Sequence, residues 1–354
     1  MTLSSVSEVI YAGGDVPKNH FSKEKSEDYP IPIYSNGIED DGLYGYTSED
    51  YIRGEAGCIT ISARGTVGFS KLRKEPFLPV IRLLVVKPKV EYILPKYLEV
   101  AIAWIGIGAF GKTTPQLTVP QASNLEIPFP PLDIQRKIVV EIEQVENKEQ
   151  EFRTAMTGIQ TEIFTILEQC QKSAVDFVKL REVVMYSTEK IDAQSLDKDT
   201  YVGVDNLLPD VAGKRMSEFV PVSGKVTAYH PENILLSNIR PYLKKAWFAD
   251  NHGGASGDVL VLVVNKKMAV PGYVFGFVSA DPFFDYEMQN IGSKVKMPRA
   301  DKKKVLDFPI PMLPIQEQQR IADEITSKKS EISKLRIQLS AMKTERDLVL
   351  KKYL

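Results

Sequence analysis

The stretch Gly106-Ile-Gly-Ala-Phe-Gly-Lys-Thr113 fits the phosphate-cradling pattern GxxxxGK[ST] letter for letter. That pattern holds phosphate only when a strand runs into the glycine turn and a helix leaves it, so that backbone N–H groups converge on the anion. Here the preceding residues, LPKYLEVAIAWI, have helical rather than strand patterning, and Pro115 and Pro120 forbid the following helix. The expectation is a tight loop, built on Gly106, Gly108 and Gly111, that holds Lys112 and Thr113 outward. A second candidate, Asp281-Pro282-Phe283-Phe284, is one residue away from the DPPF type of amino-methyltransferase motif. Its second proline is missing, and no glycine-rich turn offers to hold S-adenosylmethionine. A bend inside a helix with core aromatics is expected instead. Three histidines (His20, His230, His252) and two cysteines (Cys58, Cys170) leave little for a metal centre or a disulfide framework. No HExxH, GxSxG or paired CxxC is present, so no catalytic, cofactor-binding or metal residue is assigned.

What remains is chemistry suited to a polyanion. Cations gather near turn signals: Arg64, Lys71, Arg73, Lys74 and Lys112 in one group, and Arg240, Lys244, Lys245, Lys294, Lys296, Arg299, Lys302, Lys303 and Lys304 in another. Lysine and arginine on loops suit phosphate contact, the term that dominates nucleic-acid affinity. Polar neighbours (Ser35, Asn36, Ser62, Gln116, Ser237 and Asn238) suit base edges, an amide for adenine and a guanidinium for guanine. The candidate DNA-contact set is Ser35, Asn36, Arg64, Lys112, Thr113, Gln116, Ser237, Asn238, Arg240, Lys244, Lys294, Lys296 and Arg299. The competing reading of any such charge run is a solvated face. With a net charge of −1, DNA binding requires these cations to sit together on one surface.

The elements that position them come in two copies. IPFPPLDIQRKIVVEI (127–142) and IPMLPIQEQQRIADEI (310–325) match at a constant offset of 183, pairing Pro128 with Pro311, Gln135 with Gln318 and Ile142 with Ile325. Each is a proline-rich extended exit followed by a helix opening. Beyond it, apolar residues recur every seven positions. One seam runs through Ile138, Ile142, Val145, Phe152, Ile159 and Ile163, the other through Ile321, Ile325, Ile332, Leu335, Leu339 and Met342. Sustained heptads over about 40 residues, roughly 60 Å of helix, indicate a coiled coil, most simply one helix on the other. Lys328 and Arg346 interrupt the second seam, either snorkelling or marking contact with another chain.

A block of short β-like runs precedes each long helix. The organisation expected is residues 1–130, a first recognition domain; 131–175, a central spacer helix; 176–312, a second recognition domain; and 313–354, a C-terminal spacer helix. The fold class is α+β: two similar domains of mixed content, linked and held apart by two long helices paired antiparallel, with pseudo-twofold symmetry. An apolar run long enough to span a bilayer and a signal-peptide pattern are both missing, and two cysteines suit a reducing compartment, so a cytoplasmic protein with no membrane partner is expected.

The doubled signature, together with GKTTPQL and KVKMPRA ahead of it, resembles the specificity subunit of type I restriction–modification systems across the whole chain. The opening MTLSSVSEVIYAGGDVPK is a looser version of the family's start than VKLREVVMYS (178–187). The resemblance implies two target-recognition domains, each reading half of a split DNA sequence, with helices that space them and dock methyltransferase subunits. S-adenosylmethionine belongs on those partners, and ATP with Mg on restriction/translocase subunits that join the complex. A close alternative is the recognition subunit of a system whose methylase and nuclease are fused. More distant ones are a stand-alone nucleotide-dependent or methyl-transferring enzyme and a coiled-coil adaptor that binds proteins.

Overall fold

The structure is a computed structural model describing residues 1–106, 116–289 and 298–354. Lys112, Thr113, Lys294 and Lys296 lie outside the described residues. The chain forms two compact units: Met1–Gln150 with Ser340–Leu354, and Glu151–Leu339.

The first unit contains β1 (Ser7–Ala12), β2 (Ile31–Tyr34), β3 (Leu43–Thr47), β4 (Ile59–Ile61), β5 (Ser70–Leu72), β6 (Leu78–Pro79) and β7 (Leu84–Pro88). Helices α1 (Pro95–Trp104) and α2 (Val119–Ser123) follow, then the opening of α3 (Leu132–Ser173). The second unit takes the rest of α3, then β8 (Asp176–Lys179), α4 (Leu180–Val183), β9 (Val184–Tyr186), β10 (Lys190–Asp192) and β11 (Tyr201–Val202). It continues with β12 (Lys225–Tyr229), β13 (Ile234–Ser237), β14 (Ala246–Phe248), β15 (Gly253–Ala255) and β16 (Val259–Val264). It closes with α5 (Pro271–Val278), α6 (Asp281–Gln289), α7 (Lys302–Val305), β17 (Pro309–Met312) and most of α8 (Ile315–Tyr353), whose end returns to the first unit.

Each unit has the same main sheet. Its strand order is β1-β7-β4-β5 in one and β9-β16-β13-β14 in the other, antiparallel throughout. Fully apolar runs such as VLVLVV in β16 are buried along nearly their whole length, as a strand covered on both faces requires. The loose N-terminal opening packs as its counterpart does: Leu3 and Val6 are fully buried ahead of β1, as are Leu180 and Val183 ahead of β9. The second sheets differ. β3-β2-β6 has its extra strand beside β2, whereas β10-β12-β15-β11 grows on the other side of the parallel pair.

The repeated glutamine explains the shared framework. Gln135 is fully buried; its Oε1 accepts the Leu94 N–H at 2.9 Å and its Nε2 donates to the Pro130 carbonyl at 2.9 Å. Gln318, equally buried, accepts from the Val270 N–H at 2.9 Å and donates to the Leu313 carbonyl at 2.8 Å. Each amide thus ties a long helix to the residue that starts α1 or α5, where Pro95 or Pro271 supplies the first helical turn. Tyr97 and Tyr273 add hydroxyl bonds to the Pro128 and Pro311 carbonyls at 2.8 and 2.9 Å.

The seams are covered as the heptads require. In the first unit Ile138 and Ile142 share a core with Val349 and Leu350, and Val145 and Met342 are buried. In the second, Leu167 and Cys170 share a core with Ile321, Ala322 and Ile325, with Ile163 packed against it. Ile159 and Ile332 are buried; Phe152, Leu335 and Leu339 are partly so. The start of α3 therefore meets the end of α8, and the end of α3 meets the start of α8: the helices are antiparallel. Both interrupting cations reach α3 carboxylates, Lys328 to Glu162 at 2.5 Å and Arg346 to Glu149 at 3.2 Å. Gly276 lets α5 approach closely, since a Cβ there would lie 3.1 Å from Ile325 Cδ1.

One helix expectation is corrected. PGYVFGFVSADPFFDYE forms two helices, α5 and α6, broken at Ser279 and Ala280. Pro282 lacks an N–H and clashes within a helix interior, but fits a first turn, so DPFF opens α6 rather than bending one helix. Phe283 and Phe284 are core aromatics, as expected, packed edge-on with Phe283 against Phe308. The P-loop-like segment is preceded by α1, not by a strand, and Gly106 leaves it at φ +65°.

Candidate nucleic-acid interface

In the first unit, three loops meet at Asn36. Its Nδ2 donates to the Ile81 carbonyl at 2.7 Å, and its Oδ1 accepts from the Ala63 and Arg64 N–H groups at 2.6 and 3.3 Å. Both ends of the amide are thus committed to the backbone, the commonest use of a short amide in loops. Ser62, buried, accepts from the Gly37 N–H at 3.3 Å. Ser35 lies on the same loop, closed by its N–H to the Gly42 carbonyl at 2.8 Å. The β4–β5 loop is drawn to the segment after α1 through the Leu117 N–H to the Ala63 carbonyl at 2.9 Å. There Arg64 Nε and Nη2 fork onto Gln116 Oε1 at 3.0 and 2.6 Å. Two side chains 52 positions apart thus form one exposed polar unit. Arg82, which the sequence reading passed over, is exposed beside Ile81, and both have left-handed backbones at φ 63° and 55°.

The second unit builds the same corner. The Ala300 N–H donates to the Asn238 carbonyl at 2.9 Å, joining the β13–β14 loop to the segment before α7. Ser237 is buried and its hydroxyl donates to the Ile239 carbonyl at 2.7 Å, so it shapes the loop. Asn238 is 6% exposed, and its Oδ1 has no hydrogen-bond partner among the described residues. Arg299 pairs with Asp258 at 2.6 Å. Arg240 is exposed at φ 51° and Lys244 stands at φ 49°, flanking a single turn of 3₁₀ helix at Pro241–Leu243. Left-handed backbone costs any residue with a Cβ roughly 1–2 kcal/mol, so the surrounding bonds must over-determine this turn. They include the Arg240 N–H to the Pro298 carbonyl and the Val211 N–H to the Lys244 carbonyl, at 2.8 and 2.9 Å. Tyr242, 49% exposed between the two cations, is an aromatic the sequence reading did not single out; the run RPYLKK was its signal.

Several cations are already compensated. Lys71 pairs with Asp41 at 2.8 Å, and Lys244 with Asp281 at 2.8 Å, a bond that holds its ammonium above the ordinary lysine range. Burial pushes Lys245 down while its Nζ donates to the Val204 carbonyl at 2.8 Å. Arg73 departs from the expectation of a phosphate-facing cation. It is 4% exposed, stacked 3.6 Å from the Tyr34 ring centroid, and hydrogen-bonded to Thr60 and the Asp41 carbonyl. Its task is internal. Exposed pairs are worth little and exchange readily for a phosphate, so the cationic side chains that these corners offer among the described residues include Arg64, Arg82, Arg240, Lys244 and Arg299, together with Lys302 and Lys303 on α7.

No group of histidine, cysteine, aspartate and glutamate among the described residues is arranged to hold a metal ion, and no described helix is long and apolar enough to cross a membrane. A family profile described as a type I restriction modification DNA specificity domain matches residues 1–156. The chain is 35% identical over 136 residues to the putative type I specificity subunit S.MpnORF89P of Mycoplasma pneumoniae, and 32% over 141 residues to S.MpnORF507P from the same organism. The likeness to type I specificity subunits is thus carried in sequence by the first unit and the opening of α3. The matches take in 38% and 40% of this chain and span 39% and 38% of those relatives, about two fifths of their length. The solved S subunit of a type I restriction–modification system from M. genitalium aligns over 100% of this chain and 95% of its own, with a TM-score of 0.58 at 14% identity. The specificity-subunit fold therefore extends through both units.

Proposed function

We propose that this chain is the DNA-reading component of a type I restriction–modification complex, taking one half of a split target in each unit. The observation that carries the reading is the repeated corner. In both units a single N–H to carbonyl bond, Leu117 to Ala63 or Ala300 to Asn238, brings a β-hairpin loop and a post-helix segment together with arginine on the rim. Cations of this kind secure phosphates, and the Arg64–Gln116 fork and the Asn238 amide suit base edges. Lys112, Thr113, Lys294 and Lys296 adjoin these corners in sequence and complete the proposed contact set. The outer faces of α3 and α8 dock methyltransferase subunits, which hold S-adenosylmethionine; restriction subunits bring ATP and Mg. The chain itself contributes recognition and assembly and no catalysis.

Mapping N6-methyladenine in cells that carry this gene with its methyltransferase tests the proposal. A two-part motif separated by unspecified bases is expected. A continuous palindrome, or no methylation, overturns it.

A further inference from the structure

A cavity of about 380 Å³ opens in the second unit, walled by Gln160, Ile163, Phe164 and Leu167 of α3, Asp210 and Val211, Lys244, the α5–α6 junction, and Lys329, Ile332, Ser333 and Arg336 of α8. Lys329 stands against it in an unusual setting. Its Nζ lies 3.9 Å from the Phe275 ring centroid and donates to Ser279 Oγ, with no carboxylate partner among the described residues. The other charged residues lining the cavity are Lys244, Asp281, Asp210 and Arg336. Lys244 and Asp281 pair with each other at 2.8 Å, and Arg336 Nη2 donates to the Asp210 backbone carbonyl at 2.8 Å, with no ion pair from Arg336 to a carboxylate among the described residues. Lys329 and Arg336, seven positions apart, share one face of α8.

We propose that Lys329 is a nucleophilic lysine and a site of acylation by small acyl phosphates, with Arg336 positioning the donor's phosphate. The neutral amine attacks the acyl carbon and forms the N–C bond. The C–O bond to phosphate breaks, phosphate departs with the electron pair, and the nitrogen's proton passes to solvent. Burial pushes the amine down to about 7, so it is substantially unprotonated where an ordinary lysine is almost wholly charged.

The full chain is treated with acetyl phosphate from pH 6 to 9 and acetylated peptides are quantified by mass spectrometry. Lys329 is expected to react about tenfold faster at pH 7 than the exposed lysines, with half-maximal rate near pH 7. Arg336→Gln should slow acetyl phosphate but not a neutral activated ester, while Lys329→Arg abolishes the mark, each variant checked for an unchanged melting transition. A Lys329 rate at or below that of exposed lysines overturns the proposal, as does a rate that climbs in parallel with theirs from pH 7 to 9 without levelling. An Arg336→Gln effect equal for both reagents overturns the positioning role.

Discussion

At the scale of single residues, polar side chains divide by whether their chemistry is already committed to the chain. Glu287 on α6 is the extreme case: 5% exposed, with Oε1 unpaired among the described residues, and pushed up by burial to about 8. The folded state keeps this proton across neutral pH, whereas the unfolded chain releases it near the ordinary value of 4.5. The folded form therefore binds more protons between those limits, and Glu287 makes stability fall as pH rises through that window. Glu287→Gln should match the parent near pH 4.5 and exceed it at pH 8.5 by roughly 2–4 kcal/mol in urea unfolding. A parallel pH profile for the two would refute this. Which residues carry cations was legible in the sequence, but not which of them are free to act. Asn36 and Ser237 attract notice as polar loop residues, yet their hydrogen bonds close within two loops of themselves or across the sheet, and such closure depends on folded neighbours. Arg73 looks like its neighbours Lys71 and Lys74 in sequence, and only the Tyr34 ring and the Asp41 carbonyl reveal its internal task.

At the scale of elements, the long helices were the most legible part, because a heptad records burial directly in residue order. α3 runs Leu132–Ser173 and α8 runs Ile315–Tyr353, within a few residues of the expected 131–175 and 313–354. The roles of Lys328 and Arg346 needed the partner helix in view. The order of strands was not legible, since it is set by pairings between distant segments such as β1 with β7, and the α5–α6 break was hidden by continuous apolar patterning. Under the proposed function the helix pair acts as a ruler. Deleting one heptad from each helix removes about 10 Å, so the unspecified gap in the methylated motif should shorten by about three base pairs at ~3.4 Å per pair. An unchanged gap would show that something other than helix length sets the spacing.

At the scale of the whole chain, a net charge of −1 rules out attraction by bulk charge, so under the proposed function affinity for DNA arises from the local corners and from partner subunits. The proposed function places the chemistry on partner subunits, and on that proposal calorimetry of the purified chain should detect no binding of either ATP or S-adenosylmethionine. Micromolar binding of either would return a reaction to this polypeptide. The repeat also shows what may vary and what may not: the second sheets grow on opposite sides, while the main sheets keep one strand order. The buried amides of Gln135 and Gln318 hold the helix entries by the same bonds, and neither touches the loops that differ. Under the proposed function, gene segments cut just upstream of each glutamine should be interchangeable between chains with matching junctions, the incoming head finding its acceptor and donor already in place. A new DNA preference would then come by wholesale cassette exchange, without a long climb through point changes.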